Sequence, residues 1–205
     1  MKIKFNFNPE KGIAFLETLI HKVGGEYNYM ALLKLAFFAD RYHLRNYARP
    51  ISGDIYYAMK LGPVPSALKD IIDVQTFYGE NIQIKTGSQY CVELKSEIID
   101  TDQFSDSDIE AIDFAVKEFG EIGKNPFAIA NLTHAYPEWD KYKDIFVNSS
   151  NNRENMDYLD FLQNASPNHV EFRKLNFCDP FIPLTESERQ DLIDEILETN
   201  QLYNV

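Results

Sequence analysis

"LLKLAFFADRYHLRNYARPISGDIYYAMKLGPVPSALKD", Leu32–Asp70, decides the fold. From Met30 to Ala39 the chain is apolar nearly all round, interrupted by Lys34, which places a helix at the centre of a core. Beyond Ala39 the faces separate. Leu33, Phe37, Asp40, Leu44 and Tyr47 share an apolar stripe with one acid inside it, and Lys34, Arg41 and Arg45 stack at i, i+7 and i+11 as a basic stripe. Pro50 ends this helix and Gly53-Asp54 reads as a turn. Ile55–Lys60 is rich in strand formers, Gly62-Pro63 breaks it, and Pro65 opens a helix from Ser66 to about Tyr78.

Working outward, Asn8 and Pro9 signal the start of an earlier helix that stops at Gly24-Gly25. The central helix begins after Asn28 and runs to about Asn46. "NIQIK", a Thr-Gly-Ser turn and "YCVELK" read as a β-hairpin. Ser105 with Asp108 resembles a capping box for a helix expected to end at Gly120. Asn125-Pro126 opens another helix that stops before Pro137, where a short one follows. The Asn/Ser-rich stretch 147–155 is the linker candidate, with a helix expected over 154–163. Thr185 and Glu188 cap a last amphipathic helix carrying Leu192, Ile193, Ile196 and Leu197 on one face. The expected architecture is mainly α with a small antiparallel β-sheet. Residues 1–150 form one compact domain, and 151–205 form an acidic helical extension packed on it or on a partner.

The chain has 205 residues, 20 basic and 32 acidic, for a net charge of −12. Residues 151–205 hold 4 basic and 11 acidic groups, a net of −7. Such a balance repels polyanions, so general affinity for nucleic acid or an anionic membrane is disfavoured. Cys91 and Cys178 lie far apart and form no CxxC, which argues against a disulfide scaffold or a zinc knuckle. The longest apolar run is too short to span a bilayer, and Pro9, Glu10, Lys11 and Glu17 break any signal-peptide pattern. A cytoplasmic protein is expected.

Asp40 and His43, at i and i+3, are within mutual reach on a helix. That spacing could orient a histidine base or supply two metal ligands. No nucleophile and no third ligand accompanies them, so a buried structural acid is the better reading. Gly53-Asp54 and Gly62-Pro63 match no phosphate loop. The order helix, helix, strand, helix, hairpin is compatible with a winged helix that reads DNA. Its recognition segment, "PSALKDIIDVQTFYG", has one Lys, two Asp and no Arg or Asn to read base edges. Trp139 in "LTHAYPEW" is either a core aromatic or a partner anchor. No catalytic, cofactor-binding or metal-binding residue is assigned.

The Leu32–Asp70 phrase closely resembles the signature of the Panacea, or SocA-like antitoxin, domain. The likeness covers the Leu-Lys-Leu-aromatic-aromatic-Ala-Asp helix, His43-Leu44, Arg49-Pro50, Gly53-Asp54, Tyr56, Ala58-Met59 and Gly62–Ser66. "LTHAYPEW", Leu132–Trp139, resembles the family's weaker second motif. Ala48 stands where a glycine is common, and Phe37-Phe38 where Leu-Tyr is common. The resemblance implies a mainly helical fold with a small sheet. It also implies the antitoxin half of a bacterial or phage toxin–antitoxin pair, which blocks its toxin by direct binding. Toxins paired with this domain include nucleotide-modifying, alarmone-making enzymes. No catalytic residue carries over. Asp40, His43, Arg49, Pro50, Gly53, Asp54, Met59, Gly62, Pro63 and Pro65 are expected to form the scaffold. Lys34, Arg41, Arg45, Tyr56, Lys60, Trp139, Leu192 and Ile196 are the candidate partner contacts.

Overall fold

Asn8 starts the first helix: its side chain accepts from the Lys11 N–H at 3.2 Å, and Pro9 fixes the first turn of α1 (Pro9–Lys22). Asn28 does the same for α2 (Tyr29–Tyr47), accepting from the N–H groups of Met30 and Ala31. The computed structural model describes residues 2–74, 81–85, 90–96, 99–148 and 152–203. The expected last turn of the third helix, the Thr86–Ser88 turn and the middle of the 147–155 linker lie outside the described residues.

The helix α2 is the axis of the molecule. From Ala31 to Ala39 every side chain is buried, Lys34 included, as a run that is apolar nearly all round predicts. Against it lies α4 (Asp106–Gly123), opened by the expected Ser105/Asp108 capping box, and Phe38 stacks on Phe119 with ring centroids 3.7 Å apart. This helix runs through Gly120 to Gly123. Gly120 terminates nothing; its carbonyl accepts the Tyr27 hydroxyl at 2.6 Å. The helices α5 (Pro126–Thr133) and α6 (Pro137–Asp140) follow, each begun by a proline, then α7 (Lys143–Asn148).

Two small antiparallel sheets flank this core. In the first, β1 (Glu26–Asn28), β4 (Ile82–Lys85) and β5 (Cys91–Leu94) lie in the order β1-β5-β4. In the second, β2 (Tyr56–Met59) pairs with β3 (Gly62–Pro65) on one side and β6 (Arg153–Asn155) on the other. Gly62 therefore closes a two-residue hairpin over Lys60-Leu61, where sequence reading had the strand simply stopping. Pro63 and Pro65 confine β3 to a sheet edge, because neither can donate to a ladder. Past it, α3 (Ser66–Asp73) buries Leu68, Ile71 and Ile72.

The C-terminal residues belong to the same core. Residues 153–155, read as the end of a linker, are strand β6. The helix expected over 154–163 is this strand followed by a 3-10 turn, Tyr158–Leu162. A short α8 (Val170–Leu175) and the long α9 (Glu186–Tyr203) complete the chain, the latter capped by Thr185 and Glu188. Phe161, Phe172, Phe181 and Ile196 are all buried in one cluster with Phe37, Phe38 and Phe119. Among the described residues no helix is long and apolar enough to cross a membrane.

Candidate functional site

The signature residues divide into a sealed side and an open side of α2. On the sealed side, Asp40 is fully buried and accepts four hydrogen bonds: Ile51 N–H at 2.7 Å, Ser52 N–H at 3.1 Å, Ser52 Oγ at 2.6 Å and Tyr56 Oη at 2.9 Å. Burial raises its pKa while these donors pull it back. The carboxylate ties the loop after Pro50 to the helix. Asp54 does the equivalent one turn later. Its oxygens accept from the N–H groups of Ile55, Ala67 and Leu68, capping α3 from outside the cap position itself. Burial pushes Asp54 up to about 6 against those three donors. Between the two acids, Gly53 takes φ +66, and a Cβ there would collide with the Asn6 carbonyl.

His43 turns away from Asp40. Its Nδ1 is 2.6 Å from the Arg49 carbonyl, which can only accept, so Nδ1 carries the proton. Nε2 lies 3.0 Å from Ser107 Oγ and 3.2 Å from Asp108 Oδ1. Burial drives the imidazole pKa down to about 4, and Asp108 is already held by Lys11 at 2.8 Å and Arg49 at 3.1 Å. The i, i+3 spacing therefore makes no acid–base pair but two separate structural ties: Asp40 to the 51–56 loop, His43 to the 49 carbonyl and the start of α4. Arg49 serves α4 through Asp108 and Ser105 rather than the Gly53-Asp54 turn.

The basic stripe is a correction. Lys34, Arg41 and Arg45 share a face as predicted, but the face points inward and all three are buried. Arg41 Nε is 2.8 Å from Glu138 Oε1, both side chains fully enclosed, and its guanidinium lies over the rings of Tyr136 and Phe181. Arg41 also donates to the Gln163 carbonyl at 2.8 Å. Arg45 donates to the carbonyls of Phe161, Gln163 and Ile182 and to Asn164 Oδ1. These arginines clamp the C-terminal segment by its backbone. Three other expected contacts are interior as well. Tyr56 serves Asp40; Trp139 donates Nε1–H to the Met59 carbonyl at 2.8 Å and stacks on His134; Ile196 is enclosed by the core. Of the proposed contacts, Lys60 is exposed and Leu192 half-buried.

The open side is a groove of about 1030 Å³ at the N-terminal half of α2. Its walls come from the start of α2 (Tyr29, Met30, Leu33), the β2–β3 hairpin (Met59, Leu61, Val64) and the start of α5 (Pro126, Phe127), together with Tyr90. Large apolar groups stand in solvent here: Leu61 is 44% exposed, Phe127 61% and Tyr90 68%. Lys34 is part of the lining, 1% exposed, with Nζ donating to the Pro63 carbonyl at 2.6 Å. Burial pulls its pKa down to about 7. Gly62 makes this approach possible: at φ +94, a Cβ there would overlap Thr133 Oγ1 and press on Lys34 Cε and Nζ. Lys60, Lys69 and Lys124 also line the groove, which has no acidic residue among the described residues of its lining. Of these residues Lys34 and Lys60 were expected as partner contacts and Met59 as scaffold; the others were not singled out as site residues. Phe127 at the first turn of a Pro-started helix carried no local mark of exposure, since Phe defaults to core.

A family model described as "Antitoxin SocA-like, Panacea domain" matches residues 32–140, just over half of the chain. The protein is thus of the antitoxin-like class whose signature builds the sealed network and the hairpin beside it. The chain belongs to the SocA-like antitoxin, Panacea domain family. No curated protein and no solved structure matches it.

Proposed function

We propose that this protein is the antitoxin of a toxin–antitoxin pair, that it acts in the cytoplasm without turnover, and that it blocks its toxin by seating part of it in the groove beside Lys34. Family membership supports the antitoxin role. The groove supports the place: it gathers Leu61, Phe127 and Tyr90 in solvent on one face, and contiguous exposed apolar area marks interaction sites. The partner is a protein. Arg41 and Arg45, which a nucleic-acid reader would present to phosphates, are spent on backbone carbonyls and Glu138.

Co-expression with the product of the adjacent gene tests this reading. Growth is restored when the two proteins are made in equal amounts, and they copurify as a stoichiometric complex. Rescue at far below equimolar antitoxin, with no complex, would mean an enzyme and would overturn it.

A further inference from the structure

The lining of the groove departs from the rest of the chain in charge. The protein carries 32 acidic and 20 basic residues, yet among the described residues the groove is lined by four lysines and no acid. Two of the four are already occupied. Lys69 pairs with Asp73, and Lys124 with Glu121 at 2.6 Å, each on or beside its own helix. That leaves Lys60, exposed at the hairpin tip, and Lys34 in the interior.

Lys34 is the unusual group. An ammonium offers three donors, and among the described residues the Pro63 carbonyl is the one acceptor at Nζ. Taking a charge out of water with a single hydrogen bond is costly. On the sealed side of the same helix, Asp40 is buried with four donors. The difference is that Lys34 is part of the lining of a groove, from which a further acceptor can come.

We propose that the groove receives a partner segment that is apolar and carries a carboxylate, the carboxylate closing on Lys34 Nζ and the apolar side chains seating against Met30, Leu61 and Phe127. This rests on the docking reading above and names the chemistry of what docks. A carboxylate fits better than a phosphate chain for two reasons. The two cations left unpaired match one or two negative charges, far fewer than a polyanion brings. Among the described residues no arginine lines the groove, and Arg is the side chain that grips phosphate with two parallel bonds. The lowered pKa of Lys34 agrees with this, since a carboxylate at Nζ restores the proton that burial disfavours.

The test uses the full chain with ¹³Cε-labelled lysines and a terminally blocked peptide, acetyl-Leu-Glu-Phe-Leu-Glu-Leu-amide, against its Gln and Lys counterparts. The Lys34 resonance is assigned by its loss in Lys34→Met, whose fold is checked by thermal melting. Expected is a saturable shift of the Lys34 signal with the Glu peptide and at least about tenfold weaker binding of the Gln peptide. The Glu peptide should lose the same factor on Lys34→Met. Equal binding of Glu and Gln peptides, no saturable shift, or tighter binding of a single-stranded oligonucleotide than of the Glu peptide would each overturn the proposal. The readout needs no toxin. If Phe127→Asp abolishes toxin binding while Glu and Gln peptides bind alike, docking at the groove stands and the carboxylate falls. If the peptides behave as expected and no toxin is neutralised, the reverse holds.

Discussion

Asp40 and Lys34 lie on one helix, six residues apart, and both are buried, yet they do opposite things. Asp40 has every near donor aimed at it, and the atoms around it are the chain's own. Lys34 has, among the described residues, one acceptor and an open groove. A buried charge that is fully satisfied fixes a fold, and one left short beside a cavity marks where something else arrives. The division runs along the length of α2. Toward its C-terminal half, Asp40 and His43 are tied to residues 49–56 and the start of α4, and Arg41 and Arg45 are covered by the C-terminal segment, while the groove at its N-terminal half is closed by nothing within the described residues.

The comparison breaks first if the sealed side does not need its lid. Truncation after Asn151 removes β6, strips Phe161, Phe172, Phe181 and Ile196 from the core, and leaves Arg41 and Arg45 without their backbone acceptors. The expected result is loss of cooperative unfolding in a thermal melt. A truncated chain that still melts cooperatively would show the extension to be an accessory. The next largest effect is Asp40→Ala. It orphans two backbone N–H groups and two hydroxyls, at a cost of about 3 kcal/mol. Urea unfolding measures it, and peptide or toxin binding at a temperature where the variant stays folded should be unchanged.

Lys34→Met sharpens the contrast, because its sign is reversed. Replacing an under-satisfied buried ion by an apolar chain of similar length should raise stability by about 2 kcal/mol at pH 7 while weakening docking. The pH dependence has a definite direction. The folded pKa of Lys34, about 7, lies below the ordinary 10.5. Between those values the unfolded chain holds a proton that the folded one does not, so stability rises with pH across that window. Urea midpoints from pH 7 to 9.5 should climb less steeply in Lys34→Met than in the native protein. The smallest effect returns to the sealed side. Ala48 caps α2 in the left-handed region at φ +54. Ala48→Gly should stabilise by about 1 kcal/mol by relieving that Cβ strain, again read by urea unfolding.

Much of this was legible because it is local. Asn8, Asn28, Ser105/Asp108 and Thr185/Glu188 announced four helix starts, and the apolar run of α2, interrupted by Lys34 alone, announced the core. Helical spacing correctly put Lys34, Arg41 and Arg45 on one face. It did not give the direction of that face, which is set by Glu138, Gln163, Asn164 and the carbonyls of Phe161 and Ile182. These lie about a hundred residues or more along the chain, and no periodicity reports them. Strand β3 was hidden by its prolines, which edge position alone permits, and β6 by its polar Arg-Glu-Asn sequence. The groove was least legible. It is assembled from the start of α2, a hairpin and the start of α5, and Phe127 reads as a core residue until the fold places it in solvent.

The central claim, neutralisation by docking at the open side, is tested most directly by the affinity of the full chain for the toxic product of the adjacent gene, with native protein and Phe127→Asp compared by titration calorimetry. Phe127 is exposed, so the variant should melt at the native temperature. The account predicts a one-to-one complex weakened by about tenfold or more, roughly 1.4 kcal/mol. A Phe127→Asp protein that binds the toxin with native affinity would contradict it.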